Sequence, residues 1–67
     1  MSRAERNFYK PGMKVLVRGG FGTEKPVVAI ITEVHSDIKN GRPGVDYREV
    51  KSGEERWAYL YQIDALL

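Results

Sequence analysis

"ERWAYLYQIDALL" (55–67) packs one Trp and two Tyr into positions 57–61, and the direction those rings take decides the fold. If residues 56–60 form a strand, successive side chains alternate between faces. Trp57 and Tyr59 then share one face, and Arg56, Ala58 and Leu60 share the other. The interior of a domain built from short strands has no room for two large rings beside Val15, Val17, Ala29, Ile31, Ile63 and Leu66. Compact Ala58 and Leu60 suit it better. The spacing therefore predicts small side chains turned inward and rings turned outward. The mixed tail "YQIDALL" (61–67) predicts one 3₁₀ turn followed by a last brief strand.

Upstream, "MKVLVR" (13–18) alternates with period two, placing Met13, Val15 and Val17 on one face. That is a strand with one buried side. "GGFGTEKP" (19–26) is a glycine-rich loop, in which Gly19, Gly20 and Gly22 are expected at positive φ. "VVAIITEVH" (27–35) is a second strand with Ala29 and Ile31 inward. Val34 falls off that count, so a bulge is expected near Thr32–Glu33. "SDIKNGRPG" (36–44) holds Asn-Gly and Pro-Gly within five residues and is expected to be a loop that no strand crosses. "VDYREVK" (45–51) is a third strand, "SGEE" (52–55) a tight turn and "RWAYL" (56–60) the fourth strand. Five short strands without a convincing helix indicate an all-β barrel.

Sixty-seven residues make one domain, divided here into a basic N-terminal arm (1–10) and a barrel (11–67). With no cysteine, disulfide staples and Cys-based zinc sites are excluded. The longest apolar run, Val27–Ile31, is far short of the roughly 20 residues a membrane helix needs. No membrane association is expected, and cytoplasmic residence is the default. Net charge is +2, but residues 1–18 carry +4 and residues 19–67 carry −2. Arg3, Arg6, Lys10 and Lys14, with Lys39 and Arg42 in the second long connection, are the candidate nucleic-acid contacts.

"PGMKVLV", the Gly-containing loop, "PVVAIITEV", a hairpin and "WAYLYQIDALL" together resemble the SH3-like barrels of the KOW, Tudor and related small-barrel type. The resemblance covers roughly residues 11–67. Gly12 would precede the first strand, Ala29 would be the small residue of the second, and Leu60 and Ile63 would bracket the 3₁₀ turn. It implies a five-stranded SH3-like barrel that binds rather than catalyses, without a cofactor. It also suggests a standalone small protein of bacterial or phage type. Such folds host many partners and do not choose among them.

An outward Trp57 needs a cover, because full desolvation of a large ring is worth about 4–6 kcal/mol. The arm can fold back and lay Phe8 and Tyr9 on it, or an identical subunit or a partner can cover it. Trp57, Tyr59, Tyr47 and Phe21, rimmed by Arg18, Arg48 and Arg56, form the candidate partner-binding set, since Trp, Tyr and Arg dominate binding hot spots. Phe21, at a loop tip, is either tucked against the barrel or displayed.

Catalytic chemistry finds little footing. In "HSD" (35–37) Ser36 points away from His35 and Asp37, which rules out a triad. His35 and Asp37 alone lack the further donors that zinc needs, so no metal site is expected. "RGGFGTEK" (18–25) lacks the spacing of a phosphate cradle. The expectation is a non-enzymatic module that binds a protein partner. A nucleic-acid-binding domain and a structural or self-assembling homo-oligomer are the alternatives.

Overall fold

In β1 (Lys14–Arg18) the period-two pattern acts as expected, with Val15 and Val17 fully buried and Lys14 in solvent. The computed structural model describes residues 8–67; Arg3, Arg6 and the rest of the expected arm up to residue 7 lie outside the described residues. The further elements are β2 (Pro26–Lys39), β3 (Arg42–Glu49), β4 (Glu55–Tyr59), a 3₁₀ turn (Leu60–Gln62) and β5 (Ile63–Leu66). All pairings are antiparallel, in the order β4-β3-β2-β1-β5. No ladder joins β4 to β5 among the described residues. The hydrogen-bonded architecture is thus one open five-stranded sheet, where the sequence led us to expect a closed barrel.

One core cluster holds the sheet together: Val15 and Val17 from β1, Ala29 and Ile31 from β2, Val45 and Tyr47 from β3, then Ala58 and Leu60. Ala58 is fully buried and pairs across the ladder with Val45, so the inward face of β4 is the one its spacing predicts. Gln62 is buried but fully used. Its Oε1 accepts from the Tyr59 backbone N–H at 2.9 Å, and its Nε2 donates to the Arg18 carbonyl at 2.8 Å. One side chain thereby caps the 3₁₀ turn and ties it to the end of β1, leaving no buried polar atom of its own unpaired.

The expected bulge is present. Ile31 faces Tyr47, but Glu33 faces Asp46, so Thr32 is skipped in the ladder. From there the phase of β2 reverses: Val34 turns inward opposite Val45, while Glu33 and His35 turn outward.

The connection between β2 and β3 departs from expectation. Both strands extend into residues 36–44, and only Asn40 and Gly41 make the turn, with φ of 57° and 72°. Positive φ at both central residues defines a type I′ hairpin, whose twist matches that of the strands it joins. Asp37 Oδ1 accepts from the Gly41 N–H at 3.0 Å and fixes the turn. Pro43 is accommodated because the ladder shifts register between His35 and Lys39, so its missing donor falls where pairing is irregular. The next turn begins at Val50, so β3 ends two residues earlier than its pattern suggested.

Tyr47, expected among the partner-binding residues, is 1% exposed and belongs to the core. Its position follows from sharing the face of Val45. Burial pushes its phenol pKa upward, and its hydroxyl has no hydrogen-bond partner among the described residues. A buried unpaired hydroxyl costs about 1–3 kcal/mol. Tyr47→Phe is therefore expected to leave stability unchanged or raise it by about 1 kcal/mol, measured by urea unfolding. A loss of that size would instead show that the hydroxyl is bonded in solution.

Candidate functional site

Three segments converge on one outer surface: the turn at Gly19–Gly22, the tip of the β2–β3 hairpin, and β4 with its following turn. Trp57 and Tyr59 stand outward from β4, opposite Asp46 and Gly44. Their rings meet edge to face at 5.2 Å. Phe21 reaches both from the glycine-rich turn, at 6.1 Å from Trp57 and 6.2 Å from Tyr59. Tyr61 stacks on Tyr59 at 5.6 Å with 14° between planes. From the hairpin tip, Lys39 places its ammonium 5.2 Å from the Trp57 ring centroid, a cation–π contact. Asn40 donates to the Tyr59 hydroxyl at 3.2 Å.

The cover over the outward rings is thus local. Tyr59 is only 8% exposed because its neighbours enclose it, and Trp57 is half-buried. Phe21 and Tyr61 form the outermost layer, at 64% and 61% exposed. Phe21 is both things the sequence left open: it leans on Trp57 and presents its far face to solvent. The fold-back of Phe8 and Tyr9 onto Trp57 does not occur. Those two rings meet each other at 5.3 Å, and Tyr9 packs against the core.

Phe21 is held at some conformational cost. It sits at φ 56°, in the left-handed region that a bulky side chain rarely adopts, between Gly20 at 59° and Gly22 at 93°. Gly19, expected at positive φ, is not at positive φ, and a side chain there would displace the ends of two others. A Cβ there would lie 2.6 Å from an Arg56 guanidinium nitrogen and 2.7 Å from Glu24 Oε1. Arg56 binds Glu24 at 3.0 Å and Glu49 at 3.1 Å, clasping the turn to β3 and β4. These hydrogen bonds push the arginine pKa up and hold the Glu24 carboxyl below its usual range.

The basic rim is therefore weaker than its composition suggested. Arg56 is committed to two carboxylates, and Arg18 Nε is bonded to Asp64 at 2.8 Å. Arg48 is exposed, without an ion pair among the described residues. Lys10, Lys14 and Arg42 are exposed, and Arg42 pairs with Lys39 at the hairpin tip. Beside Trp57 runs a groove of about 430 Å³ whose walls include Glu33, Asp46 and Glu55. A second groove of about 340 Å³ lies between Phe21, Trp57 and Arg56.

Glu33, His35 and Asp46 lie together on this outer face, their donor atoms all within 4.8 Å of one another. His35 Nε2 is 2.8 Å from Asp46 Oδ2 and 3.9 Å from Glu33 Oε1. The bond to Asp46 raises the imidazole pKa. Sequence reading paired His35 with Asp37, which instead caps the hairpin turn. It also missed Tyr61, which lies on the 3₁₀ turn where strand alternation stops. No helix among the described residues is long and apolar enough to cross a membrane. Comparisons of this chain with protein-family models, with curated proteins and with solved structures return no match, so the geometry of the site carries its own interpretation.

Proposed function

We propose that this chain is a non-enzymatic binding module of the SH3-like small-barrel type, with a partly open barrel. In this reading it engages a protein partner through Phe21, Trp57 and Tyr61, with the buried Tyr59 supporting them from beneath. The observation that carries this is the contiguous aromatic surface whose outermost ring, Phe21, is held at positive φ and left 64% exposed. Strain of that kind persists when the surroundings fix it, and it concentrates at functional positions. Partly desolvated aromatics bordered by polar groups also have the composition of a binding hot spot.

The carboxylates support a protein partner over nucleic acid. Glu33, Asp46 and Glu55 line the groove at Trp57, and the nearest arginine is already neutralised. A phosphate backbone would be repelled there, whereas a segment bearing Lys or Arg would be attracted. Nucleic acid is the second reading. It would use Lys39, Arg42 and Arg48 with the basic arm, and its affinity would fall steeply with salt.

Trp57→Ala is expected to weaken partner binding by at least about 2 kcal/mol, roughly 30-fold, and more than any single Lys or Arg substitution does. The measurement is capture from nuclease-treated host lysate on immobilised wild-type and Trp57→Ala protein, with melting curves of both. Bands retained by a normally folded Trp57→Ala variant would refute the aromatic site. Bands lost on nuclease treatment alone would transfer the assignment to nucleic acid.

A further inference from the structure

The reversal of phase at Thr32 has a chemical result on the outer face. Because Thr32 is skipped, Glu33 stands directly opposite Asp46, and His35 follows on the same side of β2. Two carboxylates facing each other across an antiparallel pair repel, and the His35 imidazole beside them offsets that repulsion in part. The imidazole adds a nitrogen donor at the same place. All three side chains come from paired strands of the sheet rather than from a loop, so their Cβ positions are fixed by the ladder.

We propose that Glu33, His35 and Asp46 form a binding site for a divalent first-row transition cation, with Zn²⁺ the representative member. Ligands at roughly 2.0–2.1 Å from a tetrahedral zinc are about 3.3 Å apart. The observed separations of 2.8 and 3.9 Å straddle that value, and all three donor atoms lie within 4.8 Å of one another. The donor set selects the class of ion. Calcium and magnesium take oxygen ligands, whereas an imidazole with carboxylates suits zinc, nickel or copper. Two carboxylates balance the two positive charges. Three protein donors leave one coordination position open, in contrast to the closed four-donor shell of purely structural zinc sites.

The site has its own reporter. Trp57 is the chain's one tryptophan, and it pairs with Asp46 across the β3–β4 ladder. Titration of the whole protein with Zn²⁺ alone, followed by calorimetry in slightly alkaline buffer, is expected to give one saturable site per chain. Cu²⁺ at the same site is expected to quench Trp57 fluorescence saturably, with recovery on adding a chelator and competition by Zn²⁺. His35→Gln and Asp46→Asn should each weaken the apparent affinity by at least about 10-fold. Glu33→Gln, at an exposed position, gives a third test that does not threaten folding. Glu54→Gln, a carboxylate outside the cluster, should change nothing. An unchanged Zn²⁺ isotherm in His35→Gln and Glu33→Gln, or no saturable binding by the wild type at millimolar Zn²⁺, would overturn the assignment.

Discussion

Ile31→Ala is expected to destabilise the domain by about 2–5 kcal/mol, as truncation of a fully buried aliphatic side chain does. A chain of this length has a net stability of only about 3–10 kcal/mol at the usual ~0.05–0.15 kcal/mol per residue. The substitution therefore removes a large share of the total and can leave the protein unfolded at room temperature. Ile31 is the side chain at the centre of this effect because it is 1% exposed, in the cluster that joins β1, β2, β3 and β4. Its backbone also receives Gly12 N–H at 2.7 Å and donates to the Met13 carbonyl at 2.9 Å. Those bonds hold the segment before β1 in place, so the sheet cannot slide to fill the void. Urea unfolding monitored by Trp57 fluorescence measures the loss. A cost below about 1 kcal/mol would mean that the core collapses around the gap and is not close-packed there.

Gly44→Ala is expected to be comparably damaging for the opposite reason, excess volume. Gly44 is buried on β3, opposite Tyr59 on β4 and His35 on β2. A Cβ at this position would overlap the Ala58 carbonyl oxygen and the Ile38 Cγ2, and would lie 2.8 Å from the Ile38 Cβ. The Ile38 Cγ2 could turn aside, but the Ile38 Cβ moves only with β2 and the Ala58 oxygen only with β4, so relief means separating β3 from its neighbours. Overpacking of this kind costs about 1–3 kcal/mol, and more where backbone must shift. The same displacement moves Tyr59, so the aromatic surface should be disturbed along with stability. Thermal melting and the near-ultraviolet circular dichroism of the Trp–Tyr cluster would report both changes together. A variant with wild-type values of each would show that the strands are spaced more widely at Gly44 than described.

Local patterns carried much of the fold. β1 and the 3₁₀ turn at Leu60 were legible because each depends on alternation or turn chemistry within a few residues; β5 is present, but Leu66, expected inside, is 48% exposed. The inward pair Ala58 and Leu60 followed from volume alone. The β2–β3 hairpin was less legible, because Asn-Gly and Pro-Gly both signal turns and only the first makes one. Pro43 fits into a strand through a register shift that involves both partners, which no single segment reveals. Tyr47 shows a competition between rules. Its alternation with Val45 places it inside, while its size and hydroxyl suggested a surface role, and packing prevailed.

The candidate site divides in the same way. Trp57, Tyr59 and Phe21 could be named from residue type and strand phase. Lys39, Asn40 and Tyr61 join them only through the convergence of a hairpin tip and a turn far apart in sequence. Arg18 and Arg56 were misjudged as part of a free rim because their partners Asp64, Glu24 and Glu49 come from other elements. Glu33, His35 and Asp46 required both the bulge and the cross-strand register to be known.

The skipped residue in β2 places an unusually light demand on descent. Thr32 faces solvent and its side chain is exposed, so many amino acids would serve there equally well. Pairing it into the ladder would carry a carboxylate and an imidazole into the oily centre and expel Val34, whereas removing Thr32 would leave Glu33 opposite Asp46 and Val34 opposite Val45 in an unbroken ladder. At this point of the chain, heredity can be nearly indifferent both to what the extra residue is and to whether it is there, provided Val34 keeps its partner.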